Sequence, residues 1–305
     1  MYFEPIINTK IQLEKMGWLV NKHQDGQHVD IDTKGLPKTE EFAAALLSDG
    51  FYVAQQMLAA APSESRSWSE FRQYWDRLTT DEYMKDNGTY RKRRYSTMYY
   101  AAQANTVVRK PYMPLYKSNL YNSFAGNVFR YFDETESGLF ENPHFKRALS
   151  LALTTFNHCQ NLLGSAQPQW FVEVDQYRIV ADNTRVGKPA PEGVHSDGTS
   201  YFLLMLVEKT NVEGGVSSIY DQDMELACTT TLQNPGDIML LDDTRMLHGV
   251  SDLYSQMEGG HRDILHLSFT NLNSLHAIER RFGLNQDELE HIKTAKVNQW
   301  TSWHL

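Results

Sequence analysis

The sequence predicts an α+β protein in which helices flank a β body of sandwich or small-barrel type. Two observations carry this. From about residue 169 the hydrophobic period changes from helix to strand, and seven short β-rich segments follow: 169–180, 201–208, 215–221, 225–232, 237–241, 246–250 and 261–270. Turn signals punctuate them at Asp197-Gly198, Gly214-Gly215, Asn234-Pro235-Gly236 and Asp242-Asp243, the pattern of an antiparallel sandwich or barrel.

Taken in order, residues 1–85 read as helical pieces joined by turns. Thr39 can cap a helix through Glu40, Phe42, Ala45 and Leu46. Ser67 to Leu78 places Trp68, Phe71, Trp75 and Leu78 at spacings of three and four, an amphipathic helix. Residues 86–135, rich in Tyr, Asn and Arg, read as irregular structure with short strands. Pro143 opens the clearest helix, through Phe145, Leu149, Leu153, Phe156 and Leu163 to Gly164. After the strands, Asn285 to Lys296 returns to a polar helical pattern. The expected organisation is a mainly helical extension over 1–85, packed on a β domain over 86–305 that closes with a terminal helix.

The 305 residues are 41% hydrophobic and 12% aromatic, enough for a sizeable core. No apolar run is long enough to span a bilayer, and the opening MYFEPIINTK lacks a secretory signal pattern. Cys159 and Cys228 are far apart and fit a reducing cytoplasm better than a disulfide framework. A net charge of −9 disfavours nucleic acid and anionic membranes as partners. The basic run Arg91-Lys92-Arg93-Arg94 is read as a solvated or ion-paired face. A small-molecule substrate is expected, and a homo-oligomer is compatible with the sequence.

The chemistry concentrates in His-x-Asp pairs. Residues i and i+2 of an extended segment point the same way, so the pair offers an imidazole and a carboxylate to one metal. A second imidazole from a later strand leaves coordination positions open, as non-haem iron(II) oxygenases require. The pair occurs four times: His23-Gln24-Asp25, His28-Val29-Asp30, His195-Ser196-Asp197 and His261-Arg262-Asp263. The motif alone therefore decides little. The first two copies sit in the polar run HQDGQHVDID, before the strand-rich region, and His261 comes too late to be followed by further strands. His195 and Asp197 stand at a loop-to-strand junction with several strands still to come.

The distal histidine is then chosen among His248, His261 and His266. His248 follows a strand–turn–strand unit, GDIMLLDDTRMLHGV, and Gly249 leaves room beside it. Arg262 follows fourteen residues later. His266 also has an arginine fourteen residues on, Arg280, but in a helix-like stretch. His248 is preferred, and His266 is read as a satisfied core histidine.

A dicarboxylate co-substrate that chelates a metal at one end needs a charge-assisted clamp at the other, which a guanidinium supplies bidentately. Arg262 shares a strand face with Ile264, His266 and Ser268, and a largely polar face inside a β protein suggests a site lining. On the strand 169–180, Trp170, Val172, Val174, Gln176 and Arg178 share a face that starts apolar and ends polar. That pattern suits a barrel wall reaching a site mouth, so Gln176 and Arg178 are candidate substrate contacts.

Three blocks, PEGVHSDGTSYFLLMLVEKTNVEGGVSSIYD, PGDIMLLDDTRMLHGV and HRDILHLSF, resemble the bacterial iron(II)/2-oxoglutarate dioxygenases that hydroxylate free L-amino acids, of the isoleucine 4-hydroxylase type. RKRRYS, YKSNLYNSFAGNVFRYF and DQYRI upstream are also similar to that family, so the resemblance covers roughly residues 90–270. It implies a double-stranded β-helix (jelly-roll, cupin-like) core. It implies Fe(II) held by His195, Asp197 and His248, and Arg262 on the distal carboxylate of 2-oxoglutarate, with O2 as the second co-substrate. The implied reaction hydroxylates an unactivated C–H of an aliphatic amino acid and releases succinate and CO2. Glu192, just before Gly193, is a candidate contact for a substrate ammonium. Asp197 argues against a halogenase, in which halide takes the carboxylate's position. The rival readings are a jelly-roll binding module without redox chemistry, a zinc hydrolase on the same ligands, and a hydroxylase of peptides or other metabolites.

Overall fold

The computed structural model describes residues 27–31, 36–37, 39–117, 121, 126, 128–165 and 167–283. The His23–Asp25 pair, the helical pattern over 285–296 and parts of the 116–132 segment lie outside them. The described strands are β1 (His28–Val29), β2 (Phe51–Ala54), β3 (Thr79–Thr80), β4 (Arg91–Ala101), β5 (Thr106–Arg109), β6 (Gln169–Ala181), β7 (Tyr201–Thr210), β8 (Glu213–Gly214), β9 (Ser217–Tyr220), β10 (Leu226–Thr230), β11 (Ile238–Asp242), β12 (Leu247–Val250), β13 (Leu253–Tyr254) and β14 (Gly260–Asn271). The helices are α1 (Thr39–Asp49), α2 (Ser65–Asp76), α3 (Ser137–Glu141), α4 (Pro143–Leu162) and α5 (Leu275–Phe282).

The large sheet runs β1-β5-β4-β6-β14-β7-β11-β2, with β3 paired to β4. A small sheet, β10-β9-β12, packs against its inner face through Phe202, Ile219, Met239, Leu241 and Met246. This is a mixed α+β fold of jelly-roll type. Each of the seven expected β segments contains a strand, because alternation and turn residues agree there.

Pleating sorts the side chains. The outer face of the large sheet, with Val172, Val174, Leu203, Met205, Leu265, Leu267 and Phe269, joins Phe42 and Leu46 of α1, Phe71 and Trp75 of α2, and Phe145, Leu149 and Phe156 of α4 in one buried cluster. Each such large side chain contributes about 1.5–3 kcal/mol by leaving water. Pro143 stands at the first turn of α4, and the Asn142 side chain accepts from His144 N. The inner face carries Arg91, Arg93, Tyr177, Ile179, Arg262, Ile264 and His266, which line a cavity.

Two expectations need correction. β4 is an eleven-residue strand where irregular structure was expected. It lacks apolar alternation because its inward residues are ion-paired arginines. The N-terminal segment is not only helical: β2 pairs with β11 at the edge of the large sheet. The helix-like stretch around Arg280 is a short helix, α5, directly after β14. Among the described residues no helix is long and apolar enough to cross a membrane, and both cysteines are free.

Candidate active site

His195 and His248 face each other across a two-way backbone bridge, His195 N to His248 O at 2.9 Å and His248 N to His195 O at 2.8 Å. Their ring centroids lie 4.4 Å apart. Asp197, two residues on from His195, brings its carboxylate oxygens to 3.9 Å from Nε2 of each imidazole. One ligand atom from each of the three lies within 4.8 Å of the others. His195 Nδ1 is 3.0 Å from Gly193 O. A carbonyl can only accept, so Nδ1 carries the proton and Nε2 presents its lone pair. Two imidazoles and a carboxylate on one side of a cavity are a donor set that fits a divalent metal with open positions.

The ligand-bearing turn is shaped by Asp243, which is fully buried. Its Oδ1 accepts from Asp197 N at 2.9 Å, and its Oδ2 accepts from Thr199 N at 2.8 Å and Ser196 Oγ at 3.0 Å. Burial and the neighbouring Asp197 push Asp243 up to about 7. Gly198 turns the chain at φ +74°, and a Cβ there would come within 2.9 Å of the Tyr121 ring.

The cavity has a volume of about 100 Å³ and opens to solvent. Arg262 lines it, is 3% exposed, and leaves Nε and Nη2 without a hydrogen-bond partner among the described residues. Burial brings its pKa down to about 10, so it is still cationic at neutral pH. An orphaned buried guanidinium beside a metal donor set fits the far carboxylate of a dicarboxylate.

Glu192 also lines the cavity, with Oε1 3.5 Å from His195 Nε2. Gln176 and Arg178 do not. They lie on the outer face of β6, so the expected substrate contacts are corrected. Arg178 is bound bidentately by Asp263 at 2.8 and 2.7 Å and also meets Asp76. The apolar start of that face, Trp170 to Val174, packs under the helices rather than into a barrel. The inward residues are the alternate ones, Tyr177 and Ile179. In the basic run, Arg91 and Arg93 follow the ion-paired alternative: both are buried, ion-paired to Asp81 and Asp175, and turned into the cavity.

His266 is not a satisfied core histidine. Its Nε2 has no hydrogen-bond partner among the described residues and stands 3.6 Å from Asp197 Oδ2, and its ring lies edge-on to Phe202. Lys117 was not singled out from the sequence, yet its Nζ binds Asp197 Oδ1. It comes from a stretch without periodicity, and only the YKSNLYNSF block marked the region. Burial alone would raise Asp197, but Lys117 and then the histidines hold it well below its ordinary value. Burial and His195 hold His248 well below 6.5. The late pair His261–Asp263 also gathers ligand atoms with Glu208. There Arg72 and Arg178 already neutralise both carboxylates.

The family model described as 2OG-Fe dioxygenase matches residues 72–268. No curated protein matches the chain in sequence. Among solved structures, a bsmA homolog from Methylobium petroleophilum PM1 aligns with TM-score 0.67 and 23% identity, over 80% of this chain and 97% of that one. IDO from Bacillus thuringiensis aligns with TM-score 0.63 and 17% identity, over 79% and 99%. TqaL, a Fe(II)/(alpha)ketoglutarate-dependent dioxygenase, aligns with TM-score 0.56 and 15% identity, over 86% and 90%. These likenesses are of fold. The family match spans more than half of the chain, and it makes this protein a member of the 2OG-Fe dioxygenases, enzymes that work with Fe(II), 2-oxoglutarate and O2.

Proposed function

We propose that the enzyme hydroxylates an unactivated C–H of a free aliphatic L-amino acid, with His195, Asp197 and His248 as the iron ligands and Arg262 as the clamp on 2-oxoglutarate. The observation that carries the ligand and clamp roles is the unpartnered, buried Arg262 in the same cavity as the three ligand side chains. The amino-acid substrate rests on the resemblance of the GVHSDG region and its neighbours, and on a lining that mixes charge with apolar patches. When bound, iron and 2-oxoglutarate supply the oxygen activation, with succinate and CO2 as the by-products.

The chain's own part is positioning. Arg262 fixes one end of the co-substrate and so sets how it meets the metal. Ile179, Leu204, Val250 and Ile264 offer apolar wall to an aliphatic side chain and displace water from it. Glu192 takes the substrate ammonium. The free thiols support a cytoplasmic setting.

The test is anaerobic reconstitution with Fe(II) and 2-oxoglutarate, then exposure to air with each standard L-amino acid while succinate is followed. If none stimulates succinate release above the uncoupled rate, the substrate class is wrong. His195→Ala and His248→Ala should abolish iron binding, and a variant that still binds iron and turns over removes the ligand assignment. Arg262→Gln should weaken 2-oxoglutarate by about 10- to 150-fold, the worth of a hydrogen bond to a charged group.

A further inference from the structure

A second cationic cluster lines the same cavity, on the β4 side. The register sets Arg91, Ile179 and Arg262 in one row across β4, β6 and β14. Arg91 and Arg262 therefore stand two strand spacings apart, about 10 Å between backbones. Arg91 binds Asp81 at 2.8 Å. Arg93 binds Asp175, reaches Asp81 at 3.9 Å, and stacks over Phe132 and Tyr177 at 4.1 and 4.7 Å. Two carboxylates thus serve these two guanidiniums. Arg130 adds a third guanidinium with no ion pair among the described residues. It is 2% exposed, its Nε lacks a hydrogen-bond partner, and it lines the cavity.

Burial, then Arg93 and Arg91, bring Arg130 down to about 10, so it remains charged at neutral pH. Its backbone is fixed by a two-way bridge to Leu115, N to O at 2.9 Å in both directions. A fixed, desolvated guanidinium without a counter-ion costs stability in the free protein and suits an anion that arrives from solution. Its planar fork suits a carboxylate. The ion pairs behind it hold Arg91 and Arg93 in place and leave Arg130 as the surplus charge.

We propose that Arg130 is the dock for the carboxylate of the substrate, a position separate from that of 2-oxoglutarate at Arg262. This rests on the reading of Arg262 given above. With both carboxylates seated, the substrate is held at its charged end on the β4 side of the cavity. Its aliphatic portion then extends along Ile179 and Ile264 towards the metal ligands.

The test uses protein loaded with Mn(II) and 2-oxoglutarate, which does not turn over, titrated calorimetrically with each standard L-amino acid and with the carboxamide of the tightest binder. The expected result is that the carboxamide binds at least about ten-fold more weakly than the acid. Arg130→Gln loses the same factor for the acid and keeps its 2-oxoglutarate affinity, which also certifies its fold. In ligand-free protein Arg130→Met melts higher than wild type, whereas an arginine serving only structure would melt lower on substitution. A wild type that binds no amino acid, or an Arg130→Gln protein that binds acid and amide as wild type does, overturns the proposal. Should Arg262→Gln keep its 2-oxoglutarate affinity while Arg130→Gln loses it, the reading of Arg262 fails instead and the two arginines exchange roles.

Discussion

Asp243 does its work without reaching the cavity. One carboxylate accepts from the backbone of Asp197 and Thr199 and from the Ser196 hydroxyl, so it sets the angle at which Asp197 meets the imidazoles. Asp243→Asn keeps the shape but replaces one acceptor oxygen with a donor that faces other donors. Metal affinity should fall by about 10- to 100-fold, as for other groups that orient ligands; equilibrium dialysis with Mn(II) measures it. A loss under about two-fold would mean that the turn holds itself. The protonation of the ligands gives a second expectation. His248 is held well below 6.5 by burial and by His195, and Asp197 is held well below 3.8 by Lys117 and the histidines against the effect of burial. A depressed pKa leaves a group proton-free above its ordinary value, and its lone pair is lost only as pH falls. Metal affinity, so far as His248 and Asp197 set it, should therefore stay level from about pH 8 to below about pH 6.5 and be lost only at lower pH, with activity following. A decline already centred at or above about pH 6.5 contradicts this.

At the scale of elements, α5 is a clip. Arg280 donates to Ser196 Oγ at 3.0 Å and to Asp243 O at 2.9 Å, on the ligand turn. Arg281 pairs with Glu173 of β6, which also accepts from Tyr95 at 2.8 Å, and donates to Tyr116 O next to Lys117. One helix therefore ties the ligand turn, the large sheet and the segment carrying Lys117. Ser274 caps it at one end and Gly283 closes it in a left-handed turn at the other, so its phase is set. Arg281→Gln strands the Glu173 charge in the core and should destabilise the protein by about 3–5 kcal/mol, read as a lower Tm. Arg281→Met with Glu173→Leu should recover part of that loss, because an apolar pair carries no desolvation penalty. Equal melting of the two proteins would refute a paired-charge origin.

For the whole molecule, one buried cluster runs from Phe42 of α1 to Phe269 of β14. The expected extension over 1–85 thus contributes core: Phe71 and Trp75 are fully buried, and β2 covers the β11 edge. Removing a buried aromatic of this kind costs about 3–5 kcal/mol, and a domain holds only about 5–15 kcal/mol in total. A chain starting at residue 86 should therefore show no cooperative melt and should aggregate through the opened sheet edge. A soluble 86–305 chain with a sharp transition would establish a separable domain.

The sequence by itself determined where the seven β segments after residue 169 lie, the turns between them, and which side chains to examine as metal ligands. Alternation and turn chemistry are local, and the HSDG turn, His248 and Arg262 lie on elements whose faces can be read from period two. Several features depended on the tertiary structure. Gln176 and Arg178 were assigned the wrong face, because an apolar stripe reads alike whether it meets a barrel interior or a helix layer. β4 read as irregular, because arginines buried against Asp81 and Asp175 imitate a solvated run. His266 and Lys117 reach Asp197 from segments 69 and 80 residues away in sequence, a distance over which no local pattern carries information. Whether a buried charge finds its partner is settled only when strands distant in sequence become neighbours, and that separates Arg93, which has its carboxylates, from Arg262 and Arg130, which have none among the described residues.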